Sequence, residues 1–226
     1  KLYAGDPVQK FYTIGPMFRR ERPQKGRYRQ FYQINAEIFG VQSGLADVQL
    51  IFLLVTLFTR LKVAGVNAHI NSLGCPSCRP KFKAALSDYL SSVSDQLCAD
   101  CLRRNDRNPL RVLDCKVPGC RAAMADAPSI IEHLDPQCKA DFDEVQNMLQ
   151  KLGVPFVVDK NLVRGLDYYA RTTFEIQTES LGAQNAGADG GRYDGLVSEL
   201  GGPDIPATGF AIGFDSHFQR DKALAA

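Results

Sequence analysis

All seven cysteines of this 226-residue chain lie between residues 75 and 138. The surrounding segment carries apolar residues at helical spacing, which predict helices over 82–93 and 142–152. Gly153 follows the second helix and is expected to act as its C-terminal cap. A cysteine-rich helical block inside the chain strongly limits the folds that the whole chain can adopt.

Strand patterns precede this block and return after it, which predicts an α+β protein. A helical block between two groups of strands favours one mixed sheet over a regularly alternating parallel one. We predict a sheet core built from residues 1–74 and 158–226, with residues 75–157 inserted between its two parts as a mostly helical domain.

The clearest strand pattern is a strict alternation of apolar and polar residues over 31–39, with 11–18 as its predicted antiparallel partner. One face of this strand is polar and carries Gln33, Asn35 and Glu37. Three adjacent polar side chains indicate the floor of a pocket. A half-exposed sheet is the alternative, and the pattern alone leaves both open.

Further elements follow from the same periodicities. Apolar residues predict a helix over 45–61, and strand patterns cover 66–72, 172–177 and 206–212. Four glycines that precede the last strand are expected to form a turn: Gly187, Gly190, Gly191 and Gly195.

Six basic residues lie within eleven positions between the first two predicted strands: Arg19, Arg20, Arg22, Lys25, Arg27 and Arg29. A guanidinium offers a fixed fork of donors that matches phosphate and keeps its charge. The loop is therefore predicted to bind a nucleoside triphosphate or the end of an RNA strand. A solvated run of charges is the alternative.

Residues 162–169 mix charge, glycine and paired aromatic side chains directly before a predicted strand. Arg164, Asp167, Tyr168 and Tyr169 suit a pocket that holds a small polar ligand beside a negatively charged one. Together with the basic loop, this segment indicates a nucleotide-using enzyme that also recognises an amino acid.

The cysteine spacing is typical of metal sites, since each C-x2-C pair brings two thiolates to one ion. We predict one tetrahedral zinc site from Cys75, Cys78, Cys98 and Cys101. A weaker second quartet consists of Cys115, Cys120, Asp135 and Cys138, with His133 as a rival donor. Four protein ligands leave no open coordination position, so such ions would be structural. Reduced thiols without metal are the alternative.

The composition is that of a soluble globular protein, with 45% hydrophobic and 23% charged residues and a formal net charge of +2. The apolar run at 50–58 is too short to cross a bilayer, which needs about 20 residues. No signal peptide is recognisable, so a cytoplasmic protein is expected. The chain opens at Lys1 rather than at a methionine, and upstream sequence is expected to be missing.

Four segments resemble, in the correct order, the motifs of one enzyme family. Residues 18–31 resemble motif 2 of a class II aminoacyl-tRNA synthetase, in the form used by histidyl-tRNA synthetase. Residues 162–169 and 190–197 resemble the two histidine signatures of that enzyme, and residues 209–213 resemble the opening of motif 3. The resemblance implies a class II synthetase-like antiparallel sheet that is flanked by helices.

The resemblance also implies a site for ATP, accompanied by Mg²⁺. Arg19 would bind the α-phosphate, Glu21 would lie near the adenine amino group, and Arg27 would lie over the outer phosphates. Arg164 would be the catalytic residue, a positive charge that stands by the α-phosphate and borders the bound histidine.

For histidine itself, the resemblance implies a pocket on the polar face of the strand at 31–39. Gln33 would contact the α-amino group of histidine. Glu37 and Tyr169 would bracket the imidazole ring, and Tyr168 and Tyr193 would complete the walls.

The implied reaction forms histidyl-adenylate and passes histidine to tRNA(His), with the basic loop at the acceptor stem and a homodimer in full-length members. Asp215 and Ser216 stand where the family has a motif 3 arginine, and Asp189 replaces a small residue. Either the chain is an altered version, or the sequence joins two segments there. A histidine-binding regulatory paralogue without aminoacylation activity is the alternative function.

Overall fold

The computed structural model describes residues 5–20, 28–164, 168–178 and 186–213. The strands in these ranges are β1 (Gln9–Phe18), β2 (Gln30–Phe39), β3 (Asn67–Ser72), β4 (Phe156–Val158), β5 (Ala170–Gln177), β6 (Ala186–Arg192) and β7 (Ala207–Gly213). The α-helices are α1 (Leu45–Arg60), α2 (Arg79–Ser92), α3 (Ala99–Arg107), α4 (Pro118–Ala123), α5 (Pro136–Lys151) and α6 (Leu196–Glu199).

The seven described strands form one sheet in the order β1-β2-β7-β6-β5-β3-β4. All neighbouring strands are antiparallel except β3 and β4, which are parallel. The predicted hairpin of β1 and β2 is confirmed, with Phe18 opposite Gln30 at the end next to the basic loop. The predicted α+β class with a largely antiparallel sheet is thereby confirmed.

Helix α1 covers one face of the sheet, because alternation along each strand places apolar side chains on that face. Ile51 and Leu54 of α1 are fully buried in the same core cluster as Ile70, Phe174 and Ile212 of the sheet. Burial of each such side chain contributes about 1.5–3 kcal/mol. The opposite face of the sheet is therefore left for polar side chains.

The prediction of a glycine-rich turn before the last strand was wrong. The glycine-rich segment that was expected to be a turn contains strand β6, which lies between β5 and β7. A Cβ atom on Gly190 would lie 2.5 Å from Cζ of Phe174, and one on Gly191 would lie 2.9 Å from the carbonyl oxygen of Thr172. Glycine is required here because neighbouring groups approach the strand closely, although its propensity for strands is low.

Residues 75–157, predicted as one insertion, divide between two core clusters. Helix α2 and the short helices after it surround a separate cluster that includes Phe82, Leu86 and Val112. Helix α5 instead packs on the main core through Val145 and Leu149, and β4 extends the sheet. Among the described helices, none is long and apolar enough to cross a membrane.

Candidate active site

The polar face of β2 lies on the side of the sheet away from α1, as the alternation predicts. Gln33 donates a hydrogen bond from Nε2 to Oδ1 of Asn35 over 2.8 Å, and Asn35 donates from Nδ2 to Oγ1 of Thr13 over 3.2 Å. Ile34 and Ile38, which alternate with these residues, contact the main core. The register therefore presents Gln33, Asn35 and Glu37 side by side.

Glu37 is joined to Tyr193, which donates its hydroxyl hydrogen to Oε2 of Glu37. Burial raises the pKa of the Glu37 carboxyl, and the Tyr193 hydroxyl partly offsets that rise. Burial and the neighbouring carboxyl both raise the pKa of Tyr193, so its hydroxyl stays protonated as a donor. Its backbone N–H is bonded to the carbonyl oxygen of Ala207 over 2.8 Å, which fixes the ring relative to β7.

Glycines form the floor beneath this carboxyl group. Gly209 of β7 lies opposite Glu37 and also opposite Gly191 of β6. A Cβ atom on Gly209 would overlap the Glu37 carboxyl, and one on Gly191 would lie 3.2 Å from Cδ1 of Tyr169. Because these glycines have no side chains, Glu37 and Tyr169 can lie close to the sheet.

Tyrosines from two chain segments form the wall. The rings of Tyr168 and Tyr169 lie 4.7 Å apart at 33°, and Tyr168 meets Tyr193 edge to face at 6.2 Å. Burial is the largest cause of the raised pKa of Tyr169. The structure thus brings Glu37 together with Tyr168, Tyr169 and Tyr193, although Glu37 lies more than a hundred positions away from the tyrosines along the chain.

Arg164 reaches the same face of the sheet and is held by both backbone and side chains. Its Nε donates to Oγ1 of Thr173 over 2.8 Å, and its guanidinium also donates to the carbonyl oxygen of Phe174. Nη1 lies 3.4 Å from the Asp189 carboxylate and 3.8 Å from the Glu175 carboxylate. Only 11% of the arginine side chain is exposed, so these contacts hold its charge in one position.

Of the residues predicted for ATP, Arg19 stands at the end of the hairpin. Its guanidinium carbon lies 3.7 Å above the ring of Phe31, a cation–π contact that fixes its direction. Its backbone N–H bonds to the carbonyl oxygen of Arg29 over 2.8 Å. Glu21 and Arg27 lie outside the described residues.

Asp215 and Ser216, which stand in the place of the motif 3 arginine, also lie outside the described ranges. A cleft of about 590 Å³ lies among the short helices and is lined by Arg164. Arg104, Arg111 and Lys116 also line it, as do Asp100 and Asp114. The cleft beside Arg164 therefore carries charges of both signs, with an excess of basic residues.

Arg192 is a positioning residue that the sequence analysis missed. It is buried and bonded to Asp47, Asp194 and the carbonyl oxygens of Val41 and Ser43. These bonds join the segment before α1 to the end of β6, directly before Tyr193. The available signal was an arginine directly after two glycines, within the segment 190–197 that resembles a histidine signature.

All eight predicted metal ligands cluster, but the predicted pairing was wrong. One quartet comprises Cys75, Cys78, Asp135 and Cys138, and the other comprises Cys98, Cys101, Cys115 and Cys120. The 14 residues of α2 separate the two C-x2-C pairs, and a helix of that length spans about 21 Å. The two pairs thus lie in different quartets and do not form one candidate site. His133 packs its ring against Phe82 and belongs to neither quartet.

A mixed, largely antiparallel sheet with helices on one face and this pocket on the other defines the catalytic core of a class II aminoacyl-tRNA synthetase. The crystal structure of apo S. aureus histidyl-tRNA synthetase is similar to the chain, with a TM-score of 0.70 and 31% identity. The match covers 94% of this chain and 51% of that one. The family model for histidyl-tRNA synthetase matches residues 1–216. The chain belongs to the histidyl-tRNA synthetase family.

Two curated relatives are still closer in sequence. The histidine–tRNA ligase of Desulfatibacillum aliphaticivorans is 66% identical over 214 residues, which cover 94% of this chain and 51% of the relative. That of Desulforapulum autotrophicum is 64% identical over 215 residues, which cover 95% and 51%. The chain therefore spans about half the length of the curated relatives that it matches.

Proposed function

We propose that the chain is the catalytic portion of a histidine–tRNA ligase, which activates histidine with ATP and transfers it to tRNA(His). The observation that carries this proposal is the hydrogen bond from Tyr193 to Glu37 above the glycine floor. It presents a carboxylate acceptor at a position flanked by the tyrosine rings. Membership of the family supports the same assignment.

Histidine would be recognised by both of its ring nitrogens. Glu37 would accept a hydrogen bond from the imidazole N–H, and the hydroxyl of Tyr169 would bond to the other ring nitrogen. Tyr168 and Tyr193 would enclose the ring, and Gln33 would accept a hydrogen bond from the α-amino group. A site built from such donors and acceptors rejects analogues that lack the matching groups by about 10⁴-fold, because its buried polar atoms would be left unpaired.

Arg19 and Arg164 would stabilise the charge that develops at the α-phosphate of ATP. An oxygen of the histidine carboxylate attacks the α-phosphorus, the bond to the bridging oxygen of the β-phosphate breaks, and pyrophosphate leaves. Positioning and charge stabilisation supply most of the rate enhancement in such transfers. Glu21 would bind the adenine amino group and Arg27 the outer phosphates, while Mg²⁺ would arrive with ATP and neutralise part of their charge.

The adenylate would then pass histidine to the 3′ end of tRNA(His), with the basic loop at 19–29 against the acceptor stem. The cleft lined by Arg104, Arg111 and Lys116 supports this step, because its four basic residues, Arg164 included, outnumber the two acidic ones and would attract a polyanion. We further propose a homodimer for the full-length protein and the cytoplasm as its location.

The proposal is tested by titrating histidine into the purified chain in a calorimeter, with and without ATP. We expect saturable binding that is lost in Glu37→Gln and kept in the control Glu199→Gln, which changes an exposed carboxylate. Absence of histidine binding by the wild-type chain would overturn the proposal. Histidine-dependent exchange of pyrophosphate into ATP separates the enzyme from a regulatory paralogue, which would bind histidine without exchange.

A further inference from the structure

We propose that the cysteine-rich segment holds two structural zinc ions in interleaved quartets, and that the ion at Cys75, Cys78, Asp135 and Cys138 anchors the tyrosine wall of the candidate pocket. The proposal of two zinc ions is independent of the proposed function. The proposed link to the tyrosine wall rests on that function only in the test that measures histidine binding.

The first quartet joins the beginnings of two helices, α2 and α5. The sulfur atoms of Cys75 and Cys78 lie 3.5 Å apart. Oδ2 of Asp135 lies 3.0 Å from the first sulfur and 3.3 Å from the second. With Zn–S bonds of about 2.3 Å and a Zn–O bond of about 2.0 Å, a tetrahedral site has its sulfurs about 3.8 Å apart and its oxygen about 3.5 Å from each sulfur. The observed distances are slightly shorter than these, so a small expansion around an ion completes the site.

Asp135 presents one carboxylate oxygen to the sulfurs because its other oxygen is already engaged. Oδ1 accepts a hydrogen bond of 2.7 Å from the backbone N–H of Cys138, as the N-cap of α5. That bond turns Oδ2 towards Cys75 and Cys78. A carboxylate oxygen is an accepted zinc ligand, so the aspartate completes a quartet of three thiolates and one oxygen.

The second quartet joins the short elements of the second core cluster. Cys98 precedes α3, Cys101 lies within it, Cys115 follows a 3-10 turn, and Cys120 lies in α4. The four sulfur atoms lie within 4.8 Å of one another. The sulfur of Cys120 also accepts a hydrogen bond of 3.0 Å from the backbone N–H of Cys98. Such bonds stabilise a thiolate and are typical of ligands in the shell of a metal.

The short elements around this quartet need a cross-link. Helix α3 has 9 residues and α4 has 6, whereas isolated helices shorter than about 12–15 residues are marginal in water. Binding of a structural zinc ion releases about 10–16 kcal/mol, which appears as folding free energy. Disulfides do not supply the link, since all seven cysteines are unpaired in the described residues and the Cys75–Cys78 separation far exceeds about 2.05 Å.

Thiolate ligands also select the class of metal. Sulfur binds zinc in preference to magnesium or calcium, which take oxygen ligands. Each quartet provides four protein donors, so neither ion would have an open position for substrate or water. Both ions would therefore stabilise the fold without entering the chemistry at the α-phosphate.

The first quartet connects to the pocket through Arg79, the residue after Cys78. The Arg79 guanidinium donates to the carbonyl oxygen of Leu73 over 3.3 Å and to that of Tyr169. In addition, the N–H of Arg171 bonds to the carbonyl oxygen of Gly74 over 2.9 Å. An ion at this quartet would fix the turn at 74–78, and the turn in turn fixes the backbone of Tyr169.

Metal analysis of double variants tests the pairing directly. The wild-type chain is expected to bind two zinc ions. Cys98→Ser/Cys120→Ser is expected to keep one, because both residues belong to the same quartet, and Cys120→Ser/Cys138→Ser is expected to keep none. Pairing of the two C-x2-C motifs would reverse these two results and overturn the interleaved assignment. Fewer than two ions in the wild-type chain, or iron in place of zinc, would overturn the two-zinc proposal.

A measurement on the wild-type chain covers the case in which the variants fail to fold. After exchange of zinc for cadmium, the NMR spectrum of the metal is expected to show two resonances, one from four sulfurs and one from three sulfurs and an oxygen. A four-sulfur resonance without a resonance from three sulfurs and an oxygen would exclude Asp135 as a ligand, because seven cysteines cannot supply two separate four-sulfur sites. Ser77→Ala, which changes a residue between two ligands, is the control and is expected to keep both ions.

Hydrogen exchange tests the link to the pocket without relying on histidine binding. Cys75→Ser is expected to speed exchange at the amide of Arg171 at least tenfold, whereas Cys120→Ser is expected to leave it unchanged. Equal exchange in both variants would refute the link. Where the wild-type chain binds histidine, Cys75→Ser is also expected to weaken that binding, and Glu37→Gln is expected to abolish it with both ions retained. The failure of the zinc proposal can therefore be distinguished from the failure of the proposed function.

Discussion

Arg192 and Asp47 form a buried ion pair beneath the candidate pocket, with 3.1 Å between Nε and Oδ2. They lie 145 positions apart, and each side chain is only 1% exposed. The pair joins the first turn of α1 to the end of β6, directly before Tyr193. A buried ion pair affects stability most when one partner is removed, because the other charge is then left uncompensated in the interior.

Replacing Arg192 is therefore expected to destabilise the fold severely. Arg192→Met leaves Asp47 buried without its partner, and we expect the free energy of unfolding to fall by about 3–5 kcal/mol. Urea denaturation followed by circular dichroism measures the change. Lys139→Met removes one partner of an exposed pair and is expected to change stability by less than about 1 kcal/mol. Similar losses in both variants would contradict the special role of the buried pair.

Glu37 is expected to make stability depend on pH. Its pKa in the folded protein is raised by burial, so the folded state binds more protons than the unfolded state between the ordinary pKa and the raised one. Stability therefore falls as the pH rises through that window. Unfolding of Glu37→Gln, measured at several pH values, should lack this component. The variant should gain stability relative to the wild-type protein as the pH rises, and an unchanged difference would contradict the raised pKa.

Tyr193 is expected to hold the pKa of Glu37 below the value that burial alone would give. Tyr193→Phe removes the hydroxyl that donates to the carboxyl group, so the pKa of Glu37 should rise further. NMR titration of a carbon-labelled glutamate side chain measures it. A lower pKa in the variant would show that the hydroxyl is not the donor.

Gly209 is expected to be important for the pocket, and its replacement is expected to cost the fold a moderate amount of stability. In Gly209→Ala the new methyl group overlaps the Glu37 carboxyl, and the flexible carboxyl group can move aside. We expect histidine affinity to fall at least about tenfold, with a stability loss of roughly 1–3 kcal/mol. Gly15→Ala is the matched control in a strand, because a Cβ atom there meets nothing within 4 Å. Equal histidine affinity in both variants would refute the proposed position of the imidazole.

Asp189 is expected to weaken ATP binding. Its carboxylate lies 3.4 Å from Nη1 of Arg164 and competes with phosphate for that charge. Asp189→Ala should lower the KM for ATP about two- to fivefold, in line with roughly 0.4–1 kcal/mol for a partly exposed pair. Asp204→Ala, which removes an exposed charge elsewhere, serves as the control in the same kinetic assay. A higher KM in Asp189→Ala would show that the carboxylate positions Arg164 for ATP.

Local patterns were sufficient to predict most of the elements and half of the pocket. Alternation over 31–39 predicted both β2 and its polar face, because the pleat repeats every two residues wherever the strand lies. The segment at 162–169 was identified from composition alone. The same reasoning failed at β6. Glycines are required there because groups of β5 and β7 lie close to the strand, and those groups are distant in the sequence.

The sequence by itself determined the alternating pattern of β2, the segments that carry the predicted pocket residues and the identity of the eight candidate metal ligands. Only the tertiary structure decided how these parts combine: the grouping of the eight ligands into two quartets, the order of the strands in the sheet, and the pairing of Arg192 with Asp47. The physical reason is distance along the chain. Spacing rules act over a few residues, whereas Cys78 and Asp135 lie 57 positions apart and Asp47 and Arg192 lie 145 positions apart, so these contacts depend on how the helices pack against the sheet.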